Sequence, residues 1–156
     1  MPPNPLTDLS EWPWLGVTLS GRYQVDLPLS AGGMGLVYRG LDLQNNTPIV
    51  VKAPRAETMQ TNLAVKRFVD EVRSVVALRH PHIVPITDVG IHDDLPYAVM
   101  PLLTGGNLQG RWPTDAKGVR QPMRPDTLGT WLPGVAAALD WIHSKGFVHR
   151  DVKPSN

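Results

Sequence analysis

The sequence predicts an α+β fold: a five-stranded antiparallel sheet with one helix after its third strand, followed by a second part that begins to be helical. Three observations carry this. Residues 23–29 alternate apolar and polar, residues 49–52 and 97–100 are short β-branched or apolar runs, and residues 62–79 and 128–142 switch to helical spacing. The chain has 156 residues and a formal net charge of +1, from 15 Lys and Arg against 14 Asp and Glu. That balance excludes a strongly basic nucleic-acid binder and a self-repelling acidic tail. With 42% hydrophobic and 19% charged residues the chain can bury a core, and its 16 Pro and 14 Gly imply many turns and few helices. The absence of cysteine removes disulfides, thiolate nucleophiles and zinc sites of the Cys type.

Residues 1–20 read as a Pro-rich leader without the basic and apolar regions of a secretory signal. No apolar run is long enough to cross a bilayer, so the expected location is cytoplasmic, with a membrane anchor after residue 156 left open. Trp12 and Trp14, flanking Pro13, are expected to pack on the domain edge rather than to form a partner patch. Tyr23, Val25, Leu27 and Leu29 mark the buried side of the first strand, and Pro28 places that strand at an edge. Gly32-Gly33-Met34-Gly35 turns the chain into a second strand at Leu36-Val37-Tyr38-Arg39, and Asn45-Asn46 turns it into a third at Ile49-Val50-Val51-Lys52.

Val65, Phe68, Val69, Val72 and Val76 form the apolar stripe of the helix, which His80-Pro81 ends because the residue before proline leaves the helical region. Ile83-Val84-Pro85-Ile86 and Tyr97-Ala98-Val99-Met100 are the fourth and fifth strands, with a turn at His92-Asp93-Asp94. Residues 104–126 read as loop. Leu128, Trp131, Leu132, Val135, Leu139 and Ile142 give a second helix capped by Gly146, and Phe147-Val148 a short strand. Pro133 requires either a kink or a regular helix that starts near it.

The chemistry concentrates in His149-Arg150-Asp151-Val152-Lys153-Pro154-Ser155-Asn156, directly after that helix. Here the chain resembles the eukaryotic-type serine/threonine protein kinases, most closely their bacterial branch, over roughly residues 21–156. The resemblance divides the sequence into the leader (1–20), an amino-terminal lobe (21–100), a hinge (101–108) and part of a helical carboxy-terminal lobe (109–156). It implies ATP and Mg²⁺ as cofactors and a protein carrying a Ser or Thr acceptor as substrate, with no nucleic acid and no membrane segment involved.

Residue by residue, the resemblance implies that Gly32, Gly33 and Gly35 close over the phosphates, with Ser30 where the family has its first glycine. Taken alone these glycines also fit a dinucleotide fingerprint, but that needs a helix after them, and residues 37–41 read as strand. Val37 would cover one face of adenine, and Val50, where the family usually has Ala, and Met100 would line the pocket. The Pro101 carbonyl and the Leu103 amide would hydrogen-bond adenine, and Asn107 is counted with the nucleotide-binding residues. Lys52 would contact the α- and β-phosphates, held by Glu71 on the helix. Asp70 is the rival, and an Arg67–Glu71 surface pair is the plain alternative.

Asp151 would accept or orient the hydroxyl proton, Lys153 would neutralise the γ-phosphate and Asn156 would hold the metal. Arg150 resembles the arginine that pairs with a phosphorylated activation loop. His149 and Asp151 could instead suggest a hydrolase triad, but the chain has no nucleophile elbow. Asp88-Val89-Gly90 mimics the metal-binding Asp-Phe-Gly but precedes the catalytic loop, so it is expected to be a turn between strands. His80 and His82 lack a third ligand nearby and are read as a helix-end turn. The later Asp-Phe-Gly aspartate and activation segment are not in these residues, so this chain alone is expected to transfer little or no phosphate and to expose an apolar patch on the 128–142 helix. The alternative from another class is a non-catalytic module that binds nucleotide or a partner.

Overall fold

The computed structural model describes residues 11–32 and 35–155, without the side chains of Glu71 and Ser74. Residues 11–79 and 84–102 belong to one compact unit, and residues 80–83 and 103–155 to a second.

The first unit is built on a six-stranded antiparallel sheet in the order β1-β2-β3-β4-β6-β5, formed by β1 (Thr18–Leu19), β2 (Tyr23–Gly32), β3 (Gly35–Asp42), β4 (Thr47–Ala53), β5 (Asp88–His92) and β6 (Leu95–Pro101). One strand more than expected comes from the leader. β1 pairs only with Tyr23 and Gln24, and bonds from Gly16 N–H to the Val25 carbonyl (3.0 Å) and from Val25 N–H to the Val17 carbonyl (2.9 Å) extend the contact. Beyond that point β2 has β3 alone as a partner, which is where Pro28 sits and where its missing N–H costs nothing.

The expected buried face of β2 is corrected after Val25. Val25 pairs with Gly40 and Leu27 with Arg39, so Asp26 is an extra residue, and Leu29 is another between Pro28 and Ser30. Each bulge flips the alternation. Tyr23 and Val25 are buried as expected, whereas Leu27 and Leu29 face solvent (42% and 37% exposed) and Pro28 turns inward. Arg39 donates two bonds to the bulged Asp26, at 3.0 and 3.1 Å.

The fourth strand is also corrected. Ile83-Val84-Pro85-Ile86 stays out of the sheet, since Pro85 has no N–H to give a ladder; pairing starts where Thr87 N–H donates to the Val99 carbonyl (2.8 Å). The strand is instead β5, so Asp88-Val89-Gly90 is strand and not turn. Its residues have structural work: Asp88 accepts a hydrogen bond from the Tyr23 hydroxyl, and Gly90 lies opposite Tyr97, where a Cβ would sit 2.4 Å from the Tyr97 ring. The expected turn stands at Asp93 and Asp94, both with positive φ (48° and 62°), as a two-residue type I′ hairpin connection requires.

Register sorts the residues of the central strands into two faces. Tyr38, Val51 and Val99 lie in one cross-strand row and are each 0% exposed. With Leu36, Ala53, Tyr23 and Val25 they form a core that the leader covers. Trp12 meets the Tyr38 ring edge-on at 5.2 Å, and Trp14 stacks on Tyr38 at 6.1 Å and meets Tyr97 edge-on at 6.0 Å. The two tryptophans therefore pack on the domain, as expected, and they do so as core. Val37, Val50, Lys52 and Met100 sit in the alternate rows and share the opposite face.

Helix α1 (Asn62–Val76) begins at Thr61, whose side chain accepts from Ala64 N–H at 3.1 Å, and packs against β5 and β6. Its predicted apolar stripe is half-buried throughout. The helix ends three residues before the expected Arg79, because the chain turns at Ala77 and buries Leu78.

A polar network closes the β3–β4 turn. Arg22 donates two bonds to Asp42, at 2.9 and 2.7 Å, and Asp42 also accepts from Gln44 N–H (3.0 Å) and Asn45 Nδ2 (2.8 Å). The Arg22 bonds, aided by these two donors and opposed by burial, hold the Asp42 carboxyl well below the usual carboxylate range. A lowered folded-state value means that the contribution is complete above the ordinary Asp pKa of about 4 and fades as pH falls below it. Asp42→Asn is expected to melt below the parent chain at pH 7, with the gap narrowing between about pH 5 and pH 2. Equal gaps at both ends in a pH series of melting curves would remove the ionic role.

In the second unit α2 (Pro125–Gly129) and α3 (Leu132–Ser144) replace a single helix, and Pro133 lies in the first turn of α3, where its missing N–H is tolerated. Gly146 (φ 81°) ends α3 as predicted, with Gly146 N–H bonded to the His143 carbonyl (2.9 Å) and Phe147 N–H to the Ile142 carbonyl (3.0 Å). Phe147 and Val148 are not a strand, and no partner strand lies beside them among the described residues.

Candidate catalytic and nucleotide-binding residues

The candidate residues fall in both units. In the first, β3, β4 and β6 bring Val37, Val50, Lys52 and Met100 onto one face without any of them being adjacent in sequence. Val37 pairs with Lys52, Lys52 with Ala98, and Val50 with Met100. Lys52 and Met100 are half-buried there. Glu71, its expected partner, is on α1, and its side chain lies outside the described residues.

The glycine turn is bounded by the Gly32–Gly35 pair, and Gly33 lies outside the described residues. Gly35 has φ 117°, and a Cβ there would be 2.1 Å from the Ala53 carbonyl oxygen, so this position needs glycine for packing as well as for any phosphate. Gly32 has open space around it, and its carbonyl accepts from Arg55 Nε at 3.2 Å. Arg55 is a residue the sequence reading missed, because it is joined through a backbone atom. A cavity of about 340 Å³ borders Trp14, Leu36, Tyr38 and Ala53, hence the leader's face of the sheet and not that of Lys52.

The expected hinge straddles the unit boundary. Pro101 ends β6 opposite Ile49, Leu102 N–H donates to the Pro48 carbonyl at 3.4 Å, and Leu103 begins the longer stretch of the second unit and is exposed.

In the second unit the loop after α3 carries the remaining groups. Lys153 Nζ lies 2.9 Å from Asp151 Oδ1, with the two side chains 46% and 25% exposed. Asp151 N–H donates to His149 Nδ1 at 3.3 Å, which ties His149 to the loop backbone rather than to a nucleophile. Arg150 between them has φ 61°, a left-handed conformation uncommon for a residue with a Cβ. The loop is held from the 107–110 segment: Asn107 Nδ2 donates to the Ser155 carbonyl (3.2 Å) and Gln109 N–H to the Pro154 carbonyl (2.7 Å). Asn156 lies outside the described residues. His80 and His82 stand 5.7 Å apart, with His80 also 5.7 Å from Trp141, and among the described residues no three His, Cys, Asp or Glu side chains gather around a metal position.

The protein kinase domain model matches residues 23–156, the stretch that holds the glycine turn, Lys52 and the Asp151 loop. The chain belongs to the protein kinase family. It is 33% identical over 142 residues to the serine/threonine-protein kinase PrkC of Bacillus subtilis, covering 91% of this chain and 21% of that protein. It is 35% identical over 138 residues to the serine/threonine-protein kinase PknL of Mycobacterium bovis, covering 88% of this chain and 33% of the relative. Among solved structures it is similar to the PknI kinase domain of Mycobacterium tuberculosis, with a TM-score of 0.71 and 28% identity over 90% of this chain and 55% of that one. The chain thus spans a fifth to a third of these curated relatives and about half of the solved kinase chain, and it is a partial kinase domain. A kinase of this family uses ATP and a divalent metal in general, and no described helix here is long and apolar enough to cross a membrane.

Proposed function

We propose that these residues are the nucleotide-binding and catalytic-loop part of an ATP-dependent protein kinase that transfers the γ-phosphate to a Ser or Thr hydroxyl of a protein. The observation that carries this reading is the contact of Lys153 with Asp151 at 2.9 Å in a loop matched by the kinase family. The carboxylate of Asp151 orients the incoming hydroxyl and accepts its proton, while the ammonium beside it meets the negative charge of the transferred group. A cation this close to the carboxylate fits a site for a phosphate and an alcohol together, and supports a Ser/Thr acceptor.

On the sheet, Lys52 takes the α- and β-phosphates with Glu71 as its partner. Gly32, Gly33 and Gly35 approach the phosphates through backbone N–H groups, and Val37, Val50 and Met100 enclose the base. The Pro101 carbonyl and Leu103 N–H supply its polar edge contacts. Lys52 sharing a face with Val37, Val50 and Met100 supports this placement. For the metal, the Asn156 amide oxygen is a hard donor of the kind Mg²⁺ takes, and that ion is held by few protein ligands together with phosphate oxygens. Bound there, Mg²⁺ neutralises phosphate charge.

Saturating Mg-ATP is expected to raise the melting temperature of the chain, as any ligand of the folded state does, and Lys52→Met is expected to lose most of that rise. No rise in the parent chain, or an equal rise in the variant, would overturn the nucleotide assignment of Lys52.

A further inference from the structure

The contacts of the 107–110 segment assign Asn107 a task other than holding nucleotide. Its amide is engaged at both ends by the chain itself: Oδ1 accepts from Gly110 N–H at 2.8 Å and Nδ2 donates to the Ser155 carbonyl at 3.2 Å. Two residues on, Gln109 N–H donates to the Pro154 carbonyl at 2.7 Å, and Gln109 also accepts, through its own carbonyl, from Trp112 N–H at 3.4 Å. The turn that presents these donors is further fixed by Arg111, whose N–H donates to the Leu108 carbonyl (3.2 Å) and whose Nε donates to the Gly105 carbonyl (2.9 Å).

We propose that Asn107 and the Gln109 amide form a clasp that fixes the height of the catalytic loop, with Asn107 as a positioning residue for Asp151 and Lys153. The physical case is one of missing alternatives. Residues 147–155 are in neither helix nor strand, so no ladder sets their position. Arg150 holds a left-handed backbone that surrounding contacts must maintain. Pro154 has no N–H, so its carbonyl is the polar backbone group it offers, and Gln109 takes it. Two consecutive carbonyls, those of Pro154 and Ser155, are thus tied to one turn 48 residues earlier in the chain. They lie one and two residues after Lys153 and immediately before Asn156. A displacement there moves Asp151 and Lys153 together, and errors of about 1 Å in such groups can cost on the order of 10² in rate.

Asn107→Asp isolates the clasp from the turn: a carboxylate still accepts from Gly110 N–H but cannot donate to Ser155, and it sets negative charge against a carbonyl. In this variant, amide hydrogen exchange of residues 150–155 is expected to speed at least tenfold, with the α3 amides unchanged. Gln109→Pro deletes the other donor without altering Asn107 and is expected to expose the same segment. Rates unchanged in both folded variants would overturn the clasp. The catalytic role rests on the kinase reading and is tested separately, in the protein carrying the rest of its kinase domain. There Asn107→Asp is expected to lower kcat roughly tenfold or more while the KM for ATP moves less than about threefold. A raised KM with normal kcat would return Asn107 to the nucleotide site and overturn the positioning role. Faster exchange with no phosphate transfer by the parent protein would refute the kinase reading and leave the clasp standing.

Discussion

Asp151→Asn is expected to reduce phosphate transfer by roughly 10²–10⁴-fold, measured with radiolabelled ATP on the protein carrying the rest of its kinase domain. The substitution keeps the size of the side chain and one acceptor oxygen, so the loop should keep its shape. What it removes is the negative charge of the carboxylate, which lies 2.9 Å from Lys153 Nζ and which we propose as the proton acceptor. Since Asp151 is not among the residues proposed to hold the nucleotide, Mg-ATP should still raise the melting temperature of the variant. That combination, binding kept and turnover lost, separates a chemical role from a structural one. Equal phosphate incorporation by variant and parent would refute the assignment of Asp151 as base or orienting group.

The largest stability effect is expected at the leader. Trp12 is 2% exposed, and its ring meets Tyr38, which is fully buried in the central row of the sheet. Truncating a buried tryptophan to alanine costs about 3–5 kcal/mol, because the side chain's transfer energy is lost and a cavity remains. Against a typical total of about 5–15 kcal/mol, Trp12→Ala should bring the chain close to unfolding at moderate temperature. Trp12→Phe is the informative comparison. The indole N–H of Trp12 has no hydrogen-bond partner among the described residues, so phenylalanine discards an unsatisfied donor while keeping most of the ring. It should cost far less than alanine in denaturant titrations. A loss below about 1 kcal/mol for Trp12→Ala would show that the leader decorates the sheet without helping to hold it.

The loop proposed as catalytic stood out in the sequence because its chemistry is contiguous: eight residues after a helix carry an acid, three basic side chains and an amide. Lys52 differs, since the β-branched run placed it on a strand and only the family resemblance gave it a proposed role. Helix α1 showed its stripe and α3 its Gly146 cap, both set by local rules that neighbours do not override. What sequence patterns miss is set by pairing. The bulges at Asp26 and Leu29 are visible only against the partner strand β3, and they sent Leu27 and Leu29 to solvent. Pro85 carries the signal that moved the fourth strand to Asp88–His92, but its apolar neighbours outweighed it in a reading by hydrophobic runs. The clasp on Pro154 runs through a main-chain N–H of Gln109, and any residue but proline would offer the same donor, so side-chain identity could not announce it.

The family model begins at Tyr23, whereas the buried cluster among the described residues also takes in Trp12, Trp14 and Leu19. The stretch that the family model matches therefore leaves out part of the core that packs on it. A gene fragment cut at Tyr23 would keep the glycine turn, Lys52 and the proposed catalytic loop while leaving Tyr38 and Tyr97 without the tryptophan rings that pack on them. Its inactivity would then report a lost core and not an absent chemistry.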